Sequence, residues 1–248
     1  MTYNPFSLEG KTILVTGASS GIGCATAIEC SKMGAKVIIT ARNEERLNET
    51  FSQMEGNGHK AIIAEQTDAE QVTNLVKSVP DLDGLVLCAG KGMTLPFPFC
   101  KRKKFDDIFN VNFFAPVELL RLLVKEKKLL MNSSVVFVSS IGGVTNFNIG
   151  HEIYGASKAA INATMKFCAR ELAIKKIRVN SVNPGMVNTK LIQNGVISDE
   201  QKKIDMELYP LKRYGEPEEI AYGIIYLLSN ASAWMTGHSL IIDGGVTI

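Results

Sequence analysis

The 248-residue sequence contains no apolar run that approaches the roughly 20 residues needed to span a bilayer. Residues 1–11 also lack the pattern of a secretory signal, in which basic residues precede an apolar core. Both absences argue against export and against insertion into a membrane. We therefore expect a cytoplasmic protein that has no membrane partner.

Cysteine and histidine are scarce, with five and three residues respectively, and no Cys-x-x-Cys pair occurs. The histidines show none of the spacings that metal-ligand sets share. The odd number of cysteines argues against a disulfide framework. We expect reduced cysteines and no bound metal.

The charges nearly balance, since 27 lysines and arginines face 25 aspartates and glutamates and leave a formal net charge of +2. Nucleic-acid-binding domains concentrate more positive charge on one face, so nucleic acid is not expected as a partner. The one dense basic stretch runs from Lys101 to Lys104. We interpret it as a solvated loop, with a landing site for an acidic partner or substrate as the alternative.

What the sequence does contain is a regular alternation of short apolar, β-branched runs with longer amphipathic segments. Such runs are typical of parallel strands that are buried on both faces. The predicted strands cover residues 12–16, 37–41, 61–64, 85–88, 135–139, 178–182 and 240–242, and the predicted helices cover residues 21–33, 44–55, 69–78, 105–130, 154–175 and 217–229. The pattern predicts one α/β domain over residues 1–248, a Rossmann-like doubly wound parallel sheet of about seven strands with helices on both faces.

The segment 190–215 interrupts this alternation. It contains Gly195, Pro210 and Gly215 and lies between the sixth strand and the last helix. It is longer than a simple connection requires, which is typical of lids over binding sites. An additional surface helix is the other interpretation.

Three glycines, Gly17, Gly21 and Gly23, follow the first predicted strand and open the first helix. Ligands of doubly wound sheets bind at the carboxyl ends of the strands, where these glycines lie. Glycine lets the backbone approach a pyrophosphate closely, and the helix N-terminus offers free N–H groups to the anion. The spacing Gly-x-x-x-Gly-x-Gly in this context predicts a dinucleotide site.

The end of the second predicted strand indicates which dinucleotide binds. Sites for NAD usually place an acidic residue there, but this chain has Thr40, Ala41, Arg42 and Asn43. A guanidinium suits the 2′-phosphate of NADP through its charge and its paired hydrogen bonds. The sequence therefore favours NADP(H) over NAD(H).

Tyr154 and Lys158 are four residues apart in a predicted helix and therefore share one of its faces. A free tyrosine has a pKa near 10, and a neighbouring ammonium group favours the phenolate and lowers that pKa. The pair is thus suited to general acid–base chemistry. Ser140, at the end of the fifth predicted strand, is placed to stabilise a substrate oxygen that gains negative charge.

With these motifs the chain resembles the short-chain dehydrogenase/reductase family over nearly its whole length. The family's Thr-Gly-x-x-x-Gly-x-Gly motif matches Thr16 to Gly23, and its Tyr-x-x-x-Lys motif matches Tyr154 and Lys158. The resemblance implies that Ser140, rather than Ser139, is the catalytic serine. It also implies that Asn112, rather than Asn110, supports a proton relay.

The resemblance further implies a set of cofactor-binding residues. Besides Tyr154 and Lys158, they are Gly17, Ser19, Ser20, Gly21, Ile22, Gly23, Arg42, Glu65, Gln66, Cys88, Ala89, Gly90, Pro184, Gly185, Val187 and Thr189. The chain departs from the family pattern twice. Cys88 replaces an asparagine that braces the sheet, and Glu65–Gln66 replaces an Asp-Val pair at the adenine.

As an activity, the resemblance implies NADPH-dependent reduction of a ketone, with Tyr154 as proton donor and Lys158 holding the nicotinamide ribose. The C-terminal half, with Trp234 and residues 243–245, resembles 3-oxoacyl-acyl-carrier-protein reductases, so a 3-oxoacyl thioester and its acidic carrier protein are candidate partners. A basic surface for that carrier is formed by Lys125, Lys127, Lys128, Lys175 and Lys176. The alternatives are an NAD-dependent secondary-alcohol dehydrogenase of sugar or steroid type and a non-catalytic dinucleotide sensor.

A homo-oligomer is also predicted, either a tetramer or a dimer. The helix after Tyr154 is apolar around most of its circumference, as Ile161, Met165, Phe167 and Leu172 illustrate. The sheet can cover only one side of such a helix, so a second subunit is expected on the other.

Overall fold

The computed structural model describes residues 3–189 and 198–248 and contains one seven-stranded, fully parallel sheet. The strands are β1 (Thr12–Thr16), β2 (Lys36–Ala41), β3 (Lys60–Ile63), β4 (Leu82–Leu87), β5 (Leu129–Val138), β6 (Arg178–Pro184) and β7 (Ser239–Ile242). Their spatial order is β3-β2-β1-β4-β5-β6-β7. The order reverses beside β1, as it does in a doubly wound sheet, so the predicted fold class is confirmed.

Helices follow most of the strands. They are α1 (Gly21–Lys32), α2 (Glu44–Ser52), α3 (Ala69–Ser78), α4 (Arg102–Phe109), α5 (Ala115–Lys125), α6 (Glu152–Leu172), α7 (Asp199–Glu207) and α8 (Pro217–Leu228). A π-helical turn, Asn110–Phe114, joins α4 to α5.

The apolar strands bury both faces because side chains alternate along them. Ile13 and Val15 of β1 pack with α1 and α8 in one cluster, whereas Leu14 packs with α3, α5 and α6 in another. The central strands thus form the middle layer of a three-layer structure. This arrangement leaves the strand ends, and the loops that follow them, as the place for a ligand.

Burial on both faces was predicted for every strand, and this is wrong for the two edge strands. Lys60, Ala61 and Ile63 of β3 are exposed, and β7 is only partly buried. Each edge strand has a neighbour on one side only, and fewer helices cover it.

The helix predicted over residues 105–130 is broken in the structure. It is divided into α4, the π-helical turn and α5, and it ends at Lys125. Lys127 then adopts a left-handed backbone conformation with φ of 56°, which stops the helix. Strand β5 therefore starts at Leu129, well before the predicted start at residue 135.

The basic run was predicted to be a loop, and this is also wrong. Lys101 occupies the N-cap position of α4, and the next three cations form its first turn. Of the segment 190–215, residues 190–197 lie outside the described residues. Ser198 begins α7 with a capping box, so the described part of this segment contains the additional helix.

Within residues 3–189 and 198–248, no helix is long and apolar enough to cross a membrane. The same residues hold no cluster of three or more side chains that could bind a metal ion. All five cysteines are unpaired.

Candidate active site

The glycine loop lies in close contact with the ends of two other strands. Gly17 has φ of 64°, and a Cβ atom there would lie 2.8 Å from Cα of Ala89. A Cβ atom on Gly23 would overlap the carbonyl oxygen of Gly17, and one on Gly21 would lie 3.0 Å from the side chain of Thr189. The loop therefore requires glycine both for its conformation and for these close approaches.

The N-terminus of α1 has the features of an anion site. Ser20 is its N-cap residue, yet its side chain accepts no capping hydrogen bond, and the first turn carries no acidic side chain. The backbone N–H groups of this turn are therefore not satisfied by a cap. Ser19, Ser20 and Ile22 are half-buried beside them. A bound pyrophosphate would supply the missing acceptors.

Thr16 fixes the loop that follows β4. Its Oγ1 accepts hydrogen bonds from the backbone N–H groups of Cys88, over 3.0 Å, and Ala89, over 3.3 Å. The thiol of Cys88 lies close enough to Lys158 to interact electrostatically, and burial raises the pKa of this thiol to about 12. The cysteine that replaces the family's asparagine thus lies beside the candidate catalytic lysine as a neutral side chain.

Arg42 and Glu65, the two charged residues predicted near the adenosine, form an ion pair. Nη1 of Arg42 lies 3.4 Å from Oε2 of Glu65, and the arginine side chain is 77% exposed. Burial opposes ionisation of Glu65, but hydrogen bonds from Thr67 and the Arg42 guanidinium outweigh it and lower the pKa of this carboxyl. The guanidinium is therefore held at the carboxyl ends of β2 and β3 by a charged partner.

Gln66 provides an independent sign of a ligand at this end of the sheet. Its side chain is buried, and Oε1 has no hydrogen-bond partner among the described residues. A buried acceptor without a partner is costly, whereas the polar edge of a base or ribose could satisfy it. The glycine loop, the uncapped helix N-terminus and this glutamine together fit a dinucleotide.

Ser140, Tyr154 and Lys158 are brought together by β5 and α6. Oγ of Ser140 accepts the N–H of Gly142 over 3.1 Å, which leaves its own hydrogen free to donate. The hydroxyl of Ser140 lies close enough to the phenol of Tyr154 to lower its pKa, and Nζ of Lys158 lies 5.8 Å from the centre of the tyrosine ring. The three side chains predicted to carry the chemistry thus form one cluster.

The expected lowering of the tyrosine pKa is not found in the structure. Burial raises the pKa of Tyr154, and the hydroxyl of Ser140 offsets only part of that effect. Lys158 is itself buried, which lowers its pKa to about 8 and weakens its influence as a cation. The prediction neglected desolvation, which disfavours both the phenolate and the ammonium.

Nζ of Lys158 donates a hydrogen bond to the carbonyl oxygen of Val138 over 2.9 Å. A Cβ atom on Gly90 would lie 3.4 Å from this nitrogen and 3.5 Å from Oδ1 of Asn112. Glycine at this position therefore leaves room beside the lysine. The lysine, Asn112 and the end of β4 meet at this point.

Asn112 lies inside the π-helical turn and is buried. Its Oδ1 accepts the N–H of Lys91 over 2.8 Å, and Nδ2 donates to the carbonyl of Lys91 and to Oγ of Ser157. Both amide hydrogens of Asn112 are donated to protein groups, so this side chain holds the loop after β4 against α6. Such π-helical turns are frequent at functional sites.

The residues after β6 lie on the other side of the glycine loop. The N–H of Gly185, which follows Pro184, donates to the carbonyl of Ile242 over 3.0 Å. Val187 pairs with Gly215, and Thr189 contacts Gly21. Thr189, one of the predicted cofactor-binding residues, therefore lies next to the phosphate loop.

One buried polar network was not predicted. Nδ2 of Asn162 donates to Oγ of Ser139 over 3.0 Å and to Oδ1 of Asn183 over 2.9 Å, while Ser181 donates to Oδ1 of Asn162 over 2.8 Å. The signal in the sequence is an asparagine one helical turn after Lys158, on the face that the sheet buries. The network joins α6 to the ends of β5 and β6.

Comparison with known proteins agrees with this geometry. The sequence profile of a family described as enoyl-(acyl-carrier-protein) reductase matches residues 17–247. The chain belongs to the short-chain dehydrogenase/reductase family and is an oxidoreductase. The 3-oxoacyl-[acyl-carrier-protein] reductase FabG of Rickettsia prowazekii is 34% identical over 239 residues, which cover 96% of this chain and 98% of the relative.

Two solved structures are also close to this short-chain dehydrogenase/reductase. A dehydrogenase/reductase from Sinorhizobium meliloti has a TM-score of 0.90 and 33% identity, with 98% of each chain covered. A complex of Pseudomonas aeruginosa RhlG with NADP in its active site has a TM-score of 0.89 and 27% identity, with 99% of this chain and 100% of that chain covered.

Proposed function

We propose that the protein uses NADPH to reduce a ketone to a secondary alcohol, with Tyr154 as the proton donor. The observation that carries the proposal is the cluster of Ser140, Tyr154 and Lys158 at the strand edge that also holds the glycine loop. The cluster contains a proton donor, an oxygen-stabilising hydroxyl and a cation. Together these groups meet the needs of carbonyl reduction.

The bound cofactor would supply a hydride to the carbonyl carbon, and the protein would supply the proton. The Ser140 hydroxyl, whose oxygen accepts the N–H of Gly142, would donate its hydrogen to the carbonyl oxygen and fix its position. Tyr154 transfers its phenolic proton to that oxygen as the carbon accepts the hydride. Burial raises the pKa of Tyr154, so the phenol is neutral at neutral pH and holds the proton that it would donate.

Lys158 has two roles in this mechanism. It holds the ribose next to the nicotinamide, and when protonated it stabilises the phenolate that remains after transfer. Reprotonation of the phenolate would come from solvent, and Asn112 would support this route by keeping the loop beside the lysine in place through its contacts with Lys91 and Ser157.

NADP is supported as the cofactor by Arg42 at the end of β2. Its guanidinium is largely exposed and can turn toward a 2′-phosphate. The ion pair with Glu65 favours a second candidate, an NAD-dependent secondary-alcohol dehydrogenase, because it already neutralises the guanidinium. The relative binding of NADPH and NADH separates the two candidates.

A 3-oxoacyl thioester is the proposed substrate, because the relatives of similar length include 3-oxoacyl-[acyl-carrier-protein] reductases. The basic residues predicted to meet its carrier protein lie near the C-terminal ends of α5 and α6, where β5 and β6 begin, so they are at the edge of the sheet opposite Ser140 and Tyr154. Lys125, Lys127, Lys175 and Lys176 are exposed there, whereas Lys128 donates to the carbonyl of Val79. A carrier surface formed by these lysines at the active site is therefore not supported.

A homo-oligomer, either a tetramer or a dimer, is part of the proposal. The face of α6 that the sheet leaves exposed carries Ala156, Ala159, Ala163 and Phe167, and the phenylalanine is 76% exposed. Small residues with one large ring suit close packing of a second helix. The unpaired cysteines agree with a reducing compartment such as the cytoplasm.

The experiment follows NADPH oxidation with 3-oxoacyl thioesters, sugars and steroids as substrates. The proposal expects turnover with at least one ketone, and Tyr154→Phe should lower kcat by about 10²–10⁴-fold while NADPH still binds. Near-normal turnover by this variant would contradict the mechanism. Binding of NADPH without turnover of any carbonyl compound would instead support a non-catalytic sensor.

A further inference from the structure

One charged and aromatic surface plays no part in the proposed reaction. It consists of residues 97–104, with the sequence Phe-Pro-Phe-Cys-Lys-Arg-Lys-Lys, and is called the basic–aromatic surface below. Phe97 and Phe99 are 67% and 62% exposed. All four cations that follow are exposed, and only Arg102 has an ion-pair partner among the described residues, Asp106.

The position of these cations opposes the stability of α4. The positive end of the helix dipole lies at its N-terminus, where acidic side chains stabilise and basic ones destabilise. Lys101 makes no capping hydrogen bond, and the first turn contains no acidic residue. By contrast, Asn43 and Asp68 cap α2 and α3, and both helices begin with acids. The ion pair of Arg102 with Asp106 compensates for only one of these cations. A local arrangement that reduces stability in this way is a sign of function.

The basic–aromatic surface continues into a second exposed apolar loop. The N–H of Leu95 donates to the carbonyl of Gly150 over 2.8 Å, and Oγ1 of Thr94 lies 3.1 Å from Nε2 of His151. These two contacts hold in place the loop that precedes α6, which carries Phe147 and Ile149. These two side chains are 81% and 94% exposed. Exposed rings and aliphatic groups therefore adjoin the cations on the catalytic side of the sheet.

We propose that the basic–aromatic surface binds the surface of a membrane that contains anionic phospholipids. Cations beside exposed aromatic rings suit this partner, because the rings enter the headgroup region while the cations approach the phosphates. An acidic protein would match the charge, but it would need shaped pockets for Phe97 and Phe99. A bilayer accepts protruding rings without such pockets. This binding is peripheral and requires no spanning helix, so it departs from the expectation of no membrane partner, which rested on the lack of a spanning segment. It does not depend on the proposed reaction.

The experiment measures co-sedimentation of the full chain with phospholipid vesicles. We expect binding to vesicles with about 30% phosphatidylserine, little binding to pure phosphatidylcholine, and loss of binding at high salt. The variant Lys101→Glu/Lys103→Glu/Lys104→Glu should lower the partition coefficient by about 100-fold. Its melting temperature should stay the same or rise, because acids suit a helix N-terminus. A loss of binding therefore cannot result from unfolding.

A matched control reverses three exposed lysines elsewhere, in Lys125→Glu/Lys127→Glu/Lys175→Glu. It changes the net charge equally and should retain most of the vesicle binding. A second variant, Phe97→Ser/Phe99→Ser, should weaken binding while the salt dependence remains.

Three results would overturn the proposal. The first is no binding to anionic vesicles at low salt. The second is equal loss of binding in both charge-reversed variants, which would indicate an effect of net charge alone. The third is that the wild type does not bind vesicles and that only the variant Lys101→Glu/Lys103→Glu/Lys104→Glu loses activity toward a protein-bound substrate. This result would assign the surface to an acidic protein.

Discussion

Asn162 of α6 donates a hydrogen bond over 2.9 Å to Oδ1 of Asn183, the residue of β6 that immediately precedes Pro184. The same amide group donates to Ser139, which immediately precedes Ser140. One buried side chain thus ties the helix that carries Tyr154 to the two strands that end in the active site. The position of Tyr154 relative to Ser140 therefore depends on these two hydrogen bonds.

Replacing Asn162 with leucine should therefore impair both folding and catalysis. Loss of the amide leaves buried polar groups of Ser139, Asn183 and Ser181 without their partner, which should destabilise the protein by about 2–4 kcal/mol. A small displacement of α6 should also lower kcat by at least about tenfold, with a smaller change in KM. Urea denaturation and steady-state kinetics measure the two effects.

Ser133 offers a matched control for this prediction. It is a buried polar residue of β5, and its hydroxyl has no hydrogen-bond partner among the described residues. Ser133→Ala should leave stability unchanged or slightly raised, with normal kcat. If Asn162→Leu behaved like Ser133→Ala, the network would have no positioning role.

Lys158 should destabilise the folded protein while it serves catalysis. Burial lowers its pKa from 10.5 to about 8, so below pH 8 the folded state must hold a poorly solvated ammonium group. Lys158→Met should thus abolish activity yet raise the free energy of unfolding by about 1–2 kcal/mol at pH 7, after loss of the Val138 hydrogen bond is counted.

The pH dependence of the gain in stability of Lys158→Met tests whether the buried ammonium group causes it. Between the folded pKa of about 8 and the unfolded value of 10.5, the unfolded wild type binds more protons than the folded form, so its stability rises with pH. The advantage of Lys158→Met should accordingly be constant below pH 8 and shrink above it. Chemical denaturation at about pH 7 and pH 9.5 measures this, and an advantage that grew with pH would contradict the assigned cause.

Arg42 and Glu65 should have opposite effects on the choice of cofactor. Arg42→Ala should weaken NADPH binding by about 10–100-fold and leave NADH binding nearly unchanged, because only NADPH carries the 2′-phosphate. Glu65→Gln removes the charge that competes for the guanidinium and should strengthen NADPH binding. Fluorescence titration with both cofactors checks this, and weaker NADPH binding by Glu65→Gln would show that the carboxylate instead positions Arg42.

Features that depend on short spacings could be predicted from the sequence. The glycine loop and the Tyr154–Lys158 pair are such features, because a few consecutive residues determine their geometry. The doubly wound parallel sheet followed from the alternation of strands and helices, since parallel strands with crossover helices allow few arrangements.

Features that depend on tertiary contacts could not be predicted in this way. The π-helical turn around Asn112 has the composition of an ordinary helix, and only packing against Lys91 and Ser157 reveals why it bulges. The pairing of Arg42 with Glu65 links two strands. The raised pKa of Tyr154 reflects desolvation, which no local pattern reports.

Gly143 should be as important for catalysis as the glycines of the phosphate loop. It follows Ser140 by three residues, and a Cβ atom there would lie 2.6 Å from the backbone nitrogen of Ala159 and 2.6 Å from the carbonyl carbon of Lys158. Gly143→Ala should therefore push the Ser140 loop away from α6 and lower kcat by about 10²-fold, while NADPH binding at the glycine loop remains. Gly10→Ala is the control, because it strains a left-handed backbone, with φ of 78°, where no atom lies within 4 Å. It should cost about 1 kcal/mol of stability and leave kcat unchanged. Equal losses of kcat in the two variants would mean that a general loss of stability, and not the contact with α6, explains the effect.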